Sequence, residues 1–154
     1  MKTRTILASL VVFFAGFALC FASDMQMGTW KLNEAKSKFS PGATKNNSVV
    51  YAAAGDNVKV TVDGIDSEGK PAHNEWTGKF DGKDYPVTGD PASDARSYGK
   101  VDDHTLALTV KKGGKVTVTG RIVVAADGKS RTVTTSGTDP KGNKVTNMAV
   151  YDKQ

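Results

Sequence analysis

The chain's 154 residues give room for one domain with a sizeable core and no comfortable space for a second. Its formal charge of +5, from 21 Lys+Arg against 16 Asp+Glu, is scattered, with no basic run longer than Lys111-Lys112. A nucleic-acid surface calls for clustered cations with interleaved aromatics, and a disulfide framework for more than the single Cys20, so both classes are set aside.

Lys2 and Arg4 precede an apolar run from Ile6 to Ala22, and no acidic residue occurs before Asp24. That is the order of parts in a signal peptide, with small Ala22 placed for cleavage before Ser23. The competing reading is an uncleaved anchor, for which the run sits at the short limit of a membrane span. The expectation is a leader over 1–22 and a single domain over 23–154, periplasmic or secreted and free of the membrane once cleaved. Cleavage removes Lys2, Arg4 and Cys20, lowers +5 to +3, and leaves a cysteine-free domain held by packing alone.

Strands are expected over 27–33, 47–54, 57–64, 72–80, 84–88, 95–101, 104–111, 115–125, 130–137 and 144–152. One stretch carries helical cues, Asn33 to Phe39, where Asn33 can cap and Glu34 falls in the first turn before Pro41-Gly42 stops it. Elsewhere apolar residues recur at every second position: Val58, Val60 and Val62; Leu106, Leu108 and Val110; Val116, Val118, Gly120, Ile122 and Val124. Period two is the strand signature, because successive side chains point to opposite faces.

Between these runs lie turns such as Asp81-Gly82, Gly113-Gly114 and Asp127-Gly128, whose glycines supply the positive φ of tight hairpins. A spacing of roughly 11 to 15 residues is that of a meander, and such short links join antiparallel neighbours. A single open sheet would leave its apolar face wet and two raw edges exposed. The fold expected is therefore all-β, an antiparallel up-and-down meander closed into a small barrel of about 8–10 strands. Two stacked sheets would need long crossing links, and only Gly89 to Asp94 is irregular.

Few residues point to chemistry. His73 and His104 share no ligand spacing with other donors, and Asp102-Asp103-His104 falls where a turn is expected. Asp63, Asp66 and Glu68 lack the distal Glu of a calcium loop, and no Gly-x-Ser-x-Gly elbow occurs. No catalytic residue, metal site or cofactor motif is nominated, and the chain is not read as an enzyme.

The stronger candidates lie on the inward face. Trp76 and Phe80 share a face with Tyr85 across the turn, Gly120 interrupts a row of aliphatics, and Asn147 stands beside Ala149 and Tyr151. Such a set can line a small-molecule pocket, or the same aromatics can fill the barrel. Gly120 marks either room for a ligand or a bend in the strand. Periodicity leaves the facing of Arg96, Tyr98 and Arg121 open, since a one-residue slip reverses it.

The domain begins Gly28-Thr29-Trp30-Lys31-Leu32 and ends Val150-Tyr151-Asp152-Lys153, a pair of ends that resembles the calycins, the lipocalins and fatty-acid-binding proteins. The resemblance implies a ligand-binding barrel in which Trp30 plugs the floor and Tyr151 faces inward. It departs at Ala149, where fatty-acid binders carry an Arg for the ligand carboxylate, and no Arg follows Arg131 to cover Trp30 as in lipocalins. The stretch Gly28–Asn33 and the run Asp81 to Pro91 also resemble a group of small exported bacterial proteins without an assigned activity.

Together these readings point to an exported barrel that binds a small, largely apolar molecule in its interior, lined by Trp30, Trp76, Phe80, Tyr85, Gly120, Asn147 and Tyr151. The alternative is a ligand-free module of the cell envelope that docks an unknown protein partner through its loops around Asp81 to Pro91.

Overall fold

The computed structural model describes residues 24–138 and 142–154, so the leader expected over 1–22 and the tip of the last turn lie outside the described residues. Ten strands follow in chain order: β1 Gly28–Lys38, β2 Lys45–Ala54, β3 Asn57–Ile65, β4 Pro71–Gly78, β5 Tyr85–Thr88, β6 Ala95–Lys100, β7 Thr105–Lys112, β8 Lys115–Val124, β9 Ser130–Thr138 and β10 Lys144–Lys153. Each pairs antiparallel with its sequence neighbours, and β1 pairs with β10 to close the barrel. Closure leaves no sheet edge to be protected.

The helical cues after Asn33 are overridden. Strand β1 continues to Lys38, and its pairing with β10 passes from Asn33↔Val150 to Lys38↔Met148 through a wide bulge. Local bonds survive inside the bulge: the Lys36 N–H donates to Asn33 Oδ1 (3.3 Å), and the Ser37 hydroxyl donates to the Asn33 carbonyl (2.7 Å). The Val150 N–H then donates to Ser37 Oγ (2.8 Å), so a side chain carries the ladder where the backbone leaves it. Asn33 does cap a turn, and the pull of the β10 edge keeps that turn from growing into a helix.

The alternating valines point inward as their period requires, with Val60, Val62, Ile122 and Val124 buried beside Leu106. Val116 departs from the inward row assigned to it and is 54% exposed. Between Val110↔Val118 and Lys111↔Val116 the register slips by one residue, which turns Val116 outward.

Antiparallel order sends alternate connections to opposite ends. One end collects the start of β1, the turns at Gly55, 79–84, 101–104 and 125–129, and the end of β10. The other collects 39–44, 66–70, 89–94 and Gly113-Gly114, the last pair both at positive φ.

Candidate ligand site in the barrel interior

The first of these ends is closed. Residues 24–27 fold across it, with the Met27 N–H donating to the Asp24 carbonyl at 2.8 Å and the Gln26 side-chain amide donating to the His104 carbonyl at 3.3 Å. Above this segment Trp30 is fully buried, and its indole N–H donates to the Gln26 carbonyl at 2.7 Å.

Arg131, the second residue of β9, lies over the floor. Its guanidinium carbon is 4.7 Å from the Trp30 ring centroid, 4.8 Å from that of Tyr51 and 5.0 Å from that of Tyr151. Arg131 itself thus covers Trp30, the role for which no later arginine exists. The signal was in the register: Arg131 shares its face with Val133 and stands opposite Tyr151 across β9 and β10.

Aromatic rings fill the closed half on its other side. Trp76 stacks on Phe80 at 6.4 Å and meets Tyr85 and Tyr98 edge-on at 5.6 and 4.8 Å. Tyr51 joins through edge contacts to Phe80 and Tyr98. This block sits where the sheet is thinnest, since β5 shares only two residue pairs with each neighbour. The Trp76 indole N–H closes the seam further by donating to the Arg96 carbonyl at 2.8 Å.

The other half of the barrel is hollow. A cavity of about 840 Å³ opens among Ala43, Thr44, Ser67, Pro91 and Ala92 and descends between aliphatic walls of Val49, Val62, Leu108, Ile122 and Val133. It ends on Tyr51, Tyr98, Tyr151 and Arg131. The volume falls in the range of small-molecule sites, and polar side chains such as Asn46, Asn74, Ser93, Thr117 and Thr135 line it beside the aliphatic walls.

Charge is distributed unevenly along the cavity. Asp66, Glu68 and Asp90 stand at the mouth. Arg96, 8% exposed, lies on the upper wall, where its guanidinium donates to Asn74 Oδ1 at 3.1 Å and reaches the Tyr98 hydroxyl at 3.5 Å. Arg131 is 2% exposed, and its Nε and Nη1 are buried without a hydrogen-bond acceptor. Among the described residues no carboxylate forms an ion pair with either arginine. A guanidinium stays charged inside proteins, and a buried ion without a counter-charge costs on the order of several kcal/mol.

The phenols respond to the same environment. Burial pushes the Tyr151 hydroxyl up to about 12, against the pull of Arg131. Burial likewise drives Tyr51 far above its ordinary range, with Tyr98 adding to the rise and Arg131 opposing it. All these hydroxyls are neutral donors and acceptors near pH 7.

The residues singled out from sequence divide between the two halves. Trp30 forms the floor, while Trp76, Phe80 and Tyr85 fill the closed half; Asn147 and Tyr151 line the cavity. Asn147 is already engaged, its Oδ1 accepting the Ser40 N–H at 2.7 Å and so pinning the β1–β2 connection at the mouth. A Cβ on Gly120 would stand 2.5 Å from the Thr134 carbonyl oxygen, so this glycine marks close approach of the neighbouring strand. Of the three residues with open facing, Arg96 and Tyr98 are buried inside and Arg121 is exposed outside.

The acidic segments act as turns. Asp66 Oδ1 accepts the Glu68 and Lys70 N–H groups at 2.8 and 2.9 Å, and Asp102 Oδ1 accepts that of His104 at 2.8 Å. The run Asp81 to Pro91 spans the barrel wall, its first turn at the closed end and Gly89 onward at the mouth.

No protein-family model matches the chain, and no curated protein does. Several solved structures are similar to it, two of them as follows. The redesigned β-barrel mFAP1 bound to DFHBI is 15% identical over 84% of this chain and 95% of that one, with a TM-score of 0.47. EF1p2_mFAP2b bound to DFHBI is 11% identical over 86% of this chain and 97% of that one, with a TM-score of 0.49.

Proposed function

We propose that this protein is a carrier or receptor barrel that takes a small, largely apolar molecule into its interior, works outside the cytoplasm, and performs no catalysis of its own. Kinship with the calycins, drawn from the ends at Gly28–Leu32 and Val150–Lys153, belongs to the same proposal. The observation that carries it is the cavity of about 840 Å³, open at one end and walled by aliphatic side chains above a floor of packed rings. A filled barrel would need no such space, because side chains close narrow barrels completely.

The test is a titration with the neutral fluorophore N-phenyl-1-naphthylamine. Saturable uptake at one probe per chain, with a matching change in tryptophan emission, is the expected result. A chain that takes up no probe at any concentration up to its solubility limit does not have an accessible interior site.

A further inference from the structure

The outward faces of β7 to β10 carry charge of one sign. No Asp or Glu occurs in β7, β8 or β9, and the one in β10, Asp152, sits at the closed end, where it accepts a hydrogen bond from Asn33. Lys112 and Lys115 are paired in register beside the Gly113-Gly114 turn, Arg121 lies on β8, and Lys144 begins β10. None of these cations forms an ion pair among the described residues, whereas on the opposite wall Lys59 pairs with Glu75 and His73 with Asp63.

Hydroxyls fill the space between these charges. The register sets Thr109, Thr119, Ser136 and Thr146 side by side on β7 to β10, at the strand separation of about 4.8 Å. The Ser136 and Thr146 hydroxyls are 3.3 Å apart, so they share one outer face. Arg121 and Thr134, paired in register, form part of the adjoining outward row. Where the rows meet lies a shallow, open hollow of about 340 Å³, lined by Thr119, Gly120, Arg121, Thr134 and Ser136.

A guanidinium offers a planar fork of donors that matches an oxyanion, and hydroxyls rotate to donate beside it. With no carboxylate to neutralise Arg121, an anionic oxygen is the partner the hollow favours. The wall lacks what other polymers need. Tyr151 is the only aromatic residue in these four strands and is 3% exposed on the inner side, so no ring is offered to a nucleobase. The exposed Val116 and Val123 stand near opposite ends of β8 and form no continuous apolar patch for a lipid surface.

We infer that this outer wall is a second binding surface, separate from the interior, that holds an acidic polysaccharide. One anionic group of the polymer sits in the hollow between Arg121 and the hydroxyls of Thr119, Thr134 and Ser136. Sugar hydroxyls pair with the hydroxyl row, and Lys112, Lys115 and Lys144 attract the polymer's other charges.

Fluorescein-labelled dextran sulfate, with uncharged dextran of the same size as control, tests this by fluorescence anisotropy at about 0.15 M salt, where distant charges are screened. The protein is expected to bind the sulfated polymer and not the neutral one. Arg121→Gln should weaken binding about tenfold, the worth of one charge-assisted hydrogen bond, and Thr134→Val about threefold. Lys83→Gln, which removes an equal charge at the closed end, should leave binding unchanged. All three side chains are exposed, and near-UV circular dichroism checks that each variant is folded. Saturating dextran sulfate should leave uptake of N-phenyl-1-naphthylamine intact. Displacement of that probe would put the anion inside the barrel and overturn the inference. Equal losses in Arg121→Gln and Lys83→Gln would overturn it too, as diffuse charge attraction without a site. Tighter binding of oligo(dT) or of phosphatidylglycerol vesicles than of dextran sulfate, or binding of none of them, has the same consequence.

Discussion

The guanidinium of Arg131 lies over the indole of Trp30, its carbon 4.7 Å from the ring centroid, with both residues almost wholly buried. The pair joins the first strand to the ninth across the barrel floor and divides the interior into a filled half and a hollow half.

Trp30→Ala should therefore be among the most destabilising single changes. It removes a fully buried ring, the bond to the Gln26 carbonyl that holds residues 24–27 over the floor, and one wall of the Arg131 cage. Large-to-small changes at such sites cost about 3–5 kcal/mol. Urea unfolding followed by far-UV circular dichroism measures the loss, and a cost below about 1 kcal/mol would show that the floor is not closed by this ring.

Gly120→Ala separates the two readings of a glycine on an aliphatic face. If the position were room for a ligand, alanine would leave stability alone and shrink the cavity. The Thr134 carbonyl 2.5 Å from the added Cβ predicts the reverse: a loss of about 1–3 kcal/mol as β8 and β9 are forced apart, with probe stoichiometry unchanged. Thermal unfolding and the naphthylamine titration on one sample distinguish them.

Much of this architecture was legible in the sequence, and its failures have local causes. The ten strands fall within a few residues of their expected bounds because alternation and Gly-centred turns agree at every hairpin. Asn33 misled because a capping side chain says that a turn begins and nothing about how long it lasts; the β10 edge decided that. Val116 misled because a bulge shifts the face by one residue without a mark in the pattern. Within the site, the aromatics were visible as large residues on the inward face. Arg96 and Arg131 were not, since an arginine among valines and threonines looks the same facing water or facing a cavity until the register is known. The division into a filled and a hollow half depends on which ring sits at which height, and that follows only from the full closure of the barrel.

His73 gives a local probe of the outer wall beside the mouth. Its Nδ1 lies 2.7 Å from Asp63 Oδ1, and this hydrogen bond, with Glu75 nearby and Lys59 opposing, holds the imidazolium above its ordinary 6.5. A raised folded value means that the pair's contribution is complete at pH below 6.5 and fades as pH rises through the folded midpoint. Titration of the His73 ring protons by NMR should show a midpoint above 6.5, and Asp63→Asn should bring it down. An unchanged midpoint in that variant would mean that the contact is not made in solution.

At high pH the interior tyrosines should set the limit of stability. Of the four tyrosines, Tyr51 and Tyr151 are buried around Arg131, and burial holds both phenols above the ordinary 10, Tyr151 up to about 12. In the unfolded chain both ionise near 10. Their contribution to stability is thus complete below 10 and is lost as pH rises from there through about 12, because only the unfolded state releases the protons freely. Absorbance at the phenolate band should show a fraction of the tyrosines titrating late and together with loss of near-UV circular dichroism. Tyr151→Phe, which cannot ionise, should move that alkaline transition to higher pH. Were all four tyrosines to titrate smoothly around 10 with the fold intact, these hydroxyls would be open to water, and the floor of the cavity would be too.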